Sequence, residues 1–135
     1  MQIDFLEEGS EDCPLIRLYG VEPSQFATLH EAILRLVTGA QEECLLHDVP
    51  GFRALCKLKL ISASSDAGVR RIGQNPDFAW RLTPALWFVV AGLVEPFAQR
   101  VDQGSYQWLS GKEARHGLEL GDISVLLSCS VDGSW

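Results

Sequence analysis

Apolar and polar positions alternate with two different periods along this chain, and the changes of period divide it into elements. Ile3 and Phe5 alternate with polar neighbours, Glu8-Gly9-Ser10-Glu11-Asp12 has turn chemistry, and Leu15 to Tyr19 resumes the alternation. That pattern predicts a hairpin. Pro23 suits the first turn of a helix, where its missing N–H is not needed. Phe26, Leu29, Ile33, Leu36 and Val37 then share one face of a 3.6-residue period, and Gly39 is placed as a C-terminal cap. The spacing predicts a helix over 23–38.

After Gly39 the period becomes two. Cys44 and Leu46, extending to Asp48, read as a short strand, and Pro50-Gly51 as a turn. Phe52, Ala54, Cys56, Leu58 and Leu60 alternate with Arg53, Lys57 and Lys59, a half-buried strand with a basic outer face. Val69 to Ile72 reads as its hairpin partner across the polar turn 62–68. Phe78, Trp80 and Leu82 give a further strand. Thr83-Pro84 reads as an N-cap with proline at the first helical position. The run Ala85 to Val94 that follows is apolar on every side, so periodicity leaves buried helix and buried strand open. Trp87, Phe88, Val89 and Val90 favour strand, and the Thr-Pro start favours the expected helix, ending or kinking near Pro96. Tyr106 and Trp108 share one face of a short strand, and Ile123, Val125, Leu127 and Cys129 share one face of a last strand. Leu126 interrupts the polar side of that strand, so both of its faces are expected to be covered. Val-Glu-Pro occurs at 21–23 and again at 94–96, but the residues after it do not match, and it is read as coincidence.

Strands outnumber helices and most links are too short for a parallel crossover. The expected fold is α+β: one domain over 1–135, with a mainly antiparallel sheet of about six to seven strands and two helices packed on one face. The chain has 135 residues, long enough for a core without staples. Its longest apolar run has ten residues, short of the ~18 that a membrane span needs. The first twelve residues hold five acids and no base, the reverse of a secretory leader. The four cysteines do not form a disulfide-like framework, and the expected compartment is a reducing cytoplasm.

Charge narrows the choice of partners. Eleven Lys and Arg against eighteen Asp and Glu give a net charge of −7, which disfavours nucleic acid and anionic membrane. The charge is also polarised: residues 1–48 hold ten acids and two bases, whereas 49–81 hold six bases and two acids. Such segregation steers encounter with an oppositely charged surface. It points to a non-enzymatic interaction or inhibitor-like module with a basic protein partner. Glu7, Glu8, Glu11 and Asp12 are the acidic interface candidates, with Trp108 and Trp135 as aromatic anchors.

Candidate chemistry is sparse. Cys44, His47 and Cys56 are the only soft ligands close in sequence. A second close pair is missing and the spacing 44–47 divides a strand's faces, so no metal is expected. His30, His47 and His116 are the available bases, and no nucleophile elbow, phosphate loop or dinucleotide fingerprint accompanies them. No cofactor is expected and the catalytic residues are not assigned. The alternative function is a small-ligand binder or small enzyme. It would use the segment Ser62–Arg71, where Ser64, Ser65, Arg70 and Arg71 with a histidine could surround a carboxylate or phosphate.

Overall fold

The computed structural model describes residues 1–100 and 102–135. Its first half runs β1 (Gln2–Leu6), β2 (Leu15–Gly20), α1 (Pro23–Thr38), β3 (Glu43–Leu45), β4 (Arg53–Ala54) and β5 (Lys57–Ser62). The second half runs β6 (Gly68–Arg71), β7 (Asp77–Leu82), α2 (Pro84–Gln99), β8 (Tyr106–Ser110) and β9 (Ser124–Cys129). The α+β class is as the periodicity predicts, but the nine strands among the described residues make two mixed sheets rather than one antiparallel sheet. Their orders are β4-β1-β2-β9-β8 and β3-β5-β7-β6. The parallel pairs are β2 with β9, β7 with β5, and β1 with β4. Short links exclude a parallel pair only between sequence neighbours, and these partners are not neighbours.

The pairing registers show that the molecule is built from two interlocked β-β-α-β-β units. In the first sheet, hydrogen-bonded strands place Ile3, Leu18, Leu127 and Gln107 in one row. In the second, they place Val69, Trp80, Leu60 and Cys44 in one row. The next rows, Phe5-Ile16-Val125 and Arg71-Phe78-Leu58, correspond in the same way. Each unit therefore gives its opening hairpin to one sheet and its closing pair to the other. The turns correspond too: Lys57 N–H donates to Pro76 O at 2.9 Å, and Ser124 N–H to Pro14 O at 3.1 Å. The repeated Val-Glu-Pro has no part in this, since the first copy opens α1 and the second lies inside α2.

Both helices have 16 residues and begin at a proline directly after the central strand of a sheet. At the start of α1, Gln25 Oε1 accepts the N–H groups of Val21 and Glu22 at 3.1 Å each. Gly39 ends the helix at φ +82°, a left-handed conformation that a side chain would strain. Thr83 Oγ1 accepts Leu86 N–H at the start of α2. α2 continues past Pro96 to Gln99, although the proline removes one helical hydrogen bond and its ring crowds the carbonyl four residues earlier. The helices pack on each other, with the Phe26 ring of α1 5.3 Å from the Phe97 ring of α2. The apolar run of α2 is thus sided after all: Trp87 is buried and Phe88 is 65% exposed.

Three local expectations are corrected. Leu46–Asp48 forms a single 3-10 turn after β3 rather than a strand. The alternation from Phe52 to Leu60 is broken at Leu55 and Cys56, where the chain leaves β1 and enters the second sheet. Leu55 is 80% exposed at that crossing. β6 pairs with β7 and not with β5, because β7 inserts between them and supplies both with apolar partners. In β9 all six residues are buried, as the interruption at Leu126 predicts. The inward rows of both sheets and the facing sides of the helices form one apolar cluster. No helix among the described residues is long and apolar enough to cross a membrane.

Candidate functional site

A cleft of about 370 Å³ lies where the chain crosses between sheets. His47, Ala54–Lys57 and Asn75–Asp77 line it. The 3-10 turn brings His47 over β5, where its Nδ1 accepts the Leu58 N–H at 3.0 Å. That bond occupies the Nδ1 lone pair and fixes the ring over the strand. Cys56, the only thiol in the cleft, is 4% exposed, and burial pushes it up to about 11. A buried thiol with a raised pKa is mostly protonated near neutral pH.

The folded protein retains the Cys56 proton where the unfolded chain loses it, so stability should fall as pH rises from about 9 towards 11. In the native protein at pH 8, iodoacetamide should modify the half-buried Cys13 ahead of Cys56 and Cys129, which are buried. Mass spectrometry of the time course reads this. Native Cys56 reacting as fast as in the unfolded chain would show an activated thiol there.

The Ser62–Arg71 segment is spread along β6 rather than folded around a point. Ser64 and Ser65 are exposed before the strand begins, while Arg70 and Arg71 are successive residues at its far end and point to opposite faces. Arg71 is engaged: its guanidinium pairs with Glu7 at 2.7 Å and lies 5.2 Å from the Phe5 ring and 5.7 Å from the Phe78 ring. None of Ser64, Ser65, Arg70 and Arg71 lines the cleft at His47. His116 is exposed in the loop before β9, and His30 is half-buried in α1. Among the described residues no three His, Cys, Asp or Glu side chains converge as a metal site.

The acidic candidates do come together, in the loop joining β1 to β2. Glu7, Glu8 and Glu11 are exposed there and Asp12 is half-buried. The loop is held at its margins: Glu7 by Arg71, the Glu11 carbonyl by Lys112 Nζ, and Asp12 Oδ2 by the Trp135 indole N–H at 3.1 Å. Glu8 and the Glu11 carboxylate enter no ion pair among the described residues. Trp135 is 40% exposed beside the loop, whereas Trp108 is packed against the core and supplies less surface than its polar sequence neighbours suggest.

A buried ion pair underlies the same sheet, and sequence reasoning did not find it. Asp4 and Arg17 are register partners on β1 and β2, joined by two hydrogen bonds of 2.8 and 2.6 Å. Arg17 Nη1 also donates to the carbonyls of Asp132 and Gly133, each at 3.2 Å. Its hydrogen bond to Asp4 raises the guanidinium above its ordinary range. Gly133 is required at this contact: its φ is +79° and a Cβ would lie 2.7 Å from Arg17 Nη1. The available signal was an acid and a base at alternating positions of two strands already predicted to pair. Comparison with protein-family models, with curated proteins and with solved structures gives no match.

Proposed function

We propose that the chain is a non-enzymatic protein-interaction module that recognises a basic partner through the loop between β1 and β2. The observation that supports this is the loop itself, where Glu8 and the Glu11 carboxylate stay exposed and unpaired while the flanking contacts hold the loop in shape. Pre-organisation of this kind lowers the ordering cost of binding. The cleft at His47 supports this reading, since the imidazole Nδ1 is already engaged by a backbone N–H and burial raises the Cys56 thiol. Four free cysteines fit a reducing compartment such as the cytoplasm.

Affinity capture from the source cell tests the reading, with wild-type protein and a Glu8→Lys/Glu11→Lys variant compared side by side. Both positions are exposed, so the fold should tolerate the change within about 0.5 kcal/mol. A basic protein retained by the wild type, lost on charge reversal and weakened by salt is the expected result. A partner retained equally by both proteins would contradict it.

A further inference from the structure

The outer face of the second sheet carries exposed cations above a floor, Ile61 and Ala79, that is itself buried. Its registers set Lys59 beside Ala79 and Arg70, Ile61 beside Arg81, and Lys57 beside Asp77, opposite the buried positions Leu58, Leu60, Phe78 and Trp80. Lys57, Arg70 and Arg81 are exposed and form no ion pair among the described residues, while Lys59 meets Glu43 at 3.4 Å. Apolar stems of such side chains can cover a sheet while their charged heads stay in water. Leu45 and Ile72, 42% and 49% exposed, flank a recess of about 170 Å³ on this side.

The corresponding face of the first sheet is closed by the chain's own polypeptide. Register equivalence matches Arg70 to Asp4 and Ala79 to Arg17. In the first sheet the charge at that row is neutralised by its ion pair, and the segment around Asp132 and Gly133 is fixed over it through Arg17. Ser124, Leu126 and Ser128 on the outer positions of β9 are accordingly buried. In the second sheet Ile61 and Ala79 are buried on this side too, so what the face presents to solvent is its charged side chains, with Arg70 where the first sheet holds the ion-paired Asp4.

We infer that the outer face of β5, β7 and β6 docks an acidic polypeptide segment of a partner protein. Its carboxylates pair with Lys57, Arg70 and Arg81, and one of its apolar side chains enters the recess between Leu45 and Ile72. Charge complementarity selects the occupant, and the interleaving of Glu43 and Asp77 selects the kind of anion. A regular line of phosphates would meet those two carboxylates, and the face exposes no aromatic ring for base stacking. A flexible peptide can place its acids around them.

The test uses the full chain and a fluorescein-labelled peptide alternating glutamate with leucine, read by anisotropy at ~0.01 M and ~0.1 M ionic strength. Controls are a glutamate-serine peptide, a lysine-leucine peptide, single-stranded DNA and phosphatidylserine vesicles. Binding of the glutamate-leucine peptide should weaken with salt and fall at least about tenfold in a Lys57→Glu/Arg70→Glu/Arg81→Glu variant. A Leu45→Ser/Ile72→Ser variant should bind it several-fold less tightly, down to the level of the glutamate-serine peptide. Glu8→Lys/Glu11→Lys should leave it unchanged, which separates this surface from the acidic loop. If the triple variant does not fold, Arg70→Ala and Arg81→Ala replace it, each with a smaller loss. Peptide affinity unaffected by these substitutions, or DNA or vesicles bound more tightly than the peptide, would overturn the proposal. So would self-association of the wild type that both charge-reversed variants abolish, because the occupant would then be a second copy.

Discussion

Trp87→Ala should destabilise the protein by about 3–5 kcal/mol, the range for deleting a large buried aromatic side chain. Trp87 is fully buried where α2 meets the second sheet, and its indole N–H donates to the Ile61 carbonyl at 2.9 Å. Its ring meets Trp80 at 4.8 Å in an edge-on arrangement. Substitution removes the packing and the hydrogen bond together. Trp80 offers a contrast, because its own indole N–H is buried without an acceptor among the described residues. An orphaned donor costs about 1–3 kcal/mol, so Trp80→Phe removes a penalty along with some volume, whereas Trp87→Phe removes a satisfied bond. Urea denaturation should therefore rank Trp80→Phe as milder than Trp87→Phe despite equal burial. The opposite ranking would show that the Trp80 nitrogen is satisfied.

Asp4→Asn should cost about 3–5 kcal/mol, because it strands the Arg17 guanidinium without its counter-charge. The side chains of Arg17 and Asp4 are only 14% and 11% exposed, and Arg17 also anchors the carbonyls of Asp132 and Gly133. Two effects should appear together: a lowered urea midpoint and faster amide exchange at Ser134, whose N–H bonds Asp132 Oδ1. Replacing both partners by apolar residues should recover part of the loss, since no buried charge is then left alone. A change below about 1 kcal/mol for Asp4→Asn would place the pair in effective contact with water.

The elements visible in the sequence are those whose partners lie close along the chain. The hairpin of Ile3 and Phe5 with Ile16 and Leu18, and the helix 23–38, follow from local period, a starting proline and a capping glycine. The insertion of β7 between β5 and β6 was not legible. Parallel pairing depends on contacts distant in sequence, and Val69–Ile72 alternates equally well beside either neighbour. The correspondence of the two units was hidden because they share registers and not residue types: Phe5 in one is Arg71 in the other. A faint trace was available in the punctuation. Cys13-Pro14 and Glu22-Pro23 bracket β2 as Asn75-Pro76 and Thr83-Pro84 bracket β7.

For the candidate site, the acidic loop was legible because turn chemistry and charge fall in the same few residues. The grouping of Lys57, Lys59, Arg70 and Arg81 was visible only as a basic stretch, since their common face depends on strand order. Trp108 misled for a related reason. Its polar neighbours suggest a loop, but it lies on β8 opposite Leu126, against the core.

Recognition of a basic partner through the acidic loop is tested most directly by association kinetics. Stopped-flow measurement of the rate constant with the captured partner, at ~0.01 M and ~0.1 M ionic strength, compares conditions in which the Debye length falls from ~30 Å to ~10 Å. The wild-type rate should drop steeply between them, and Glu8→Lys/Glu11→Lys should start slower and lose most of the salt dependence. A rate that ignores both salt and these two substitutions would contradict recognition by this loop.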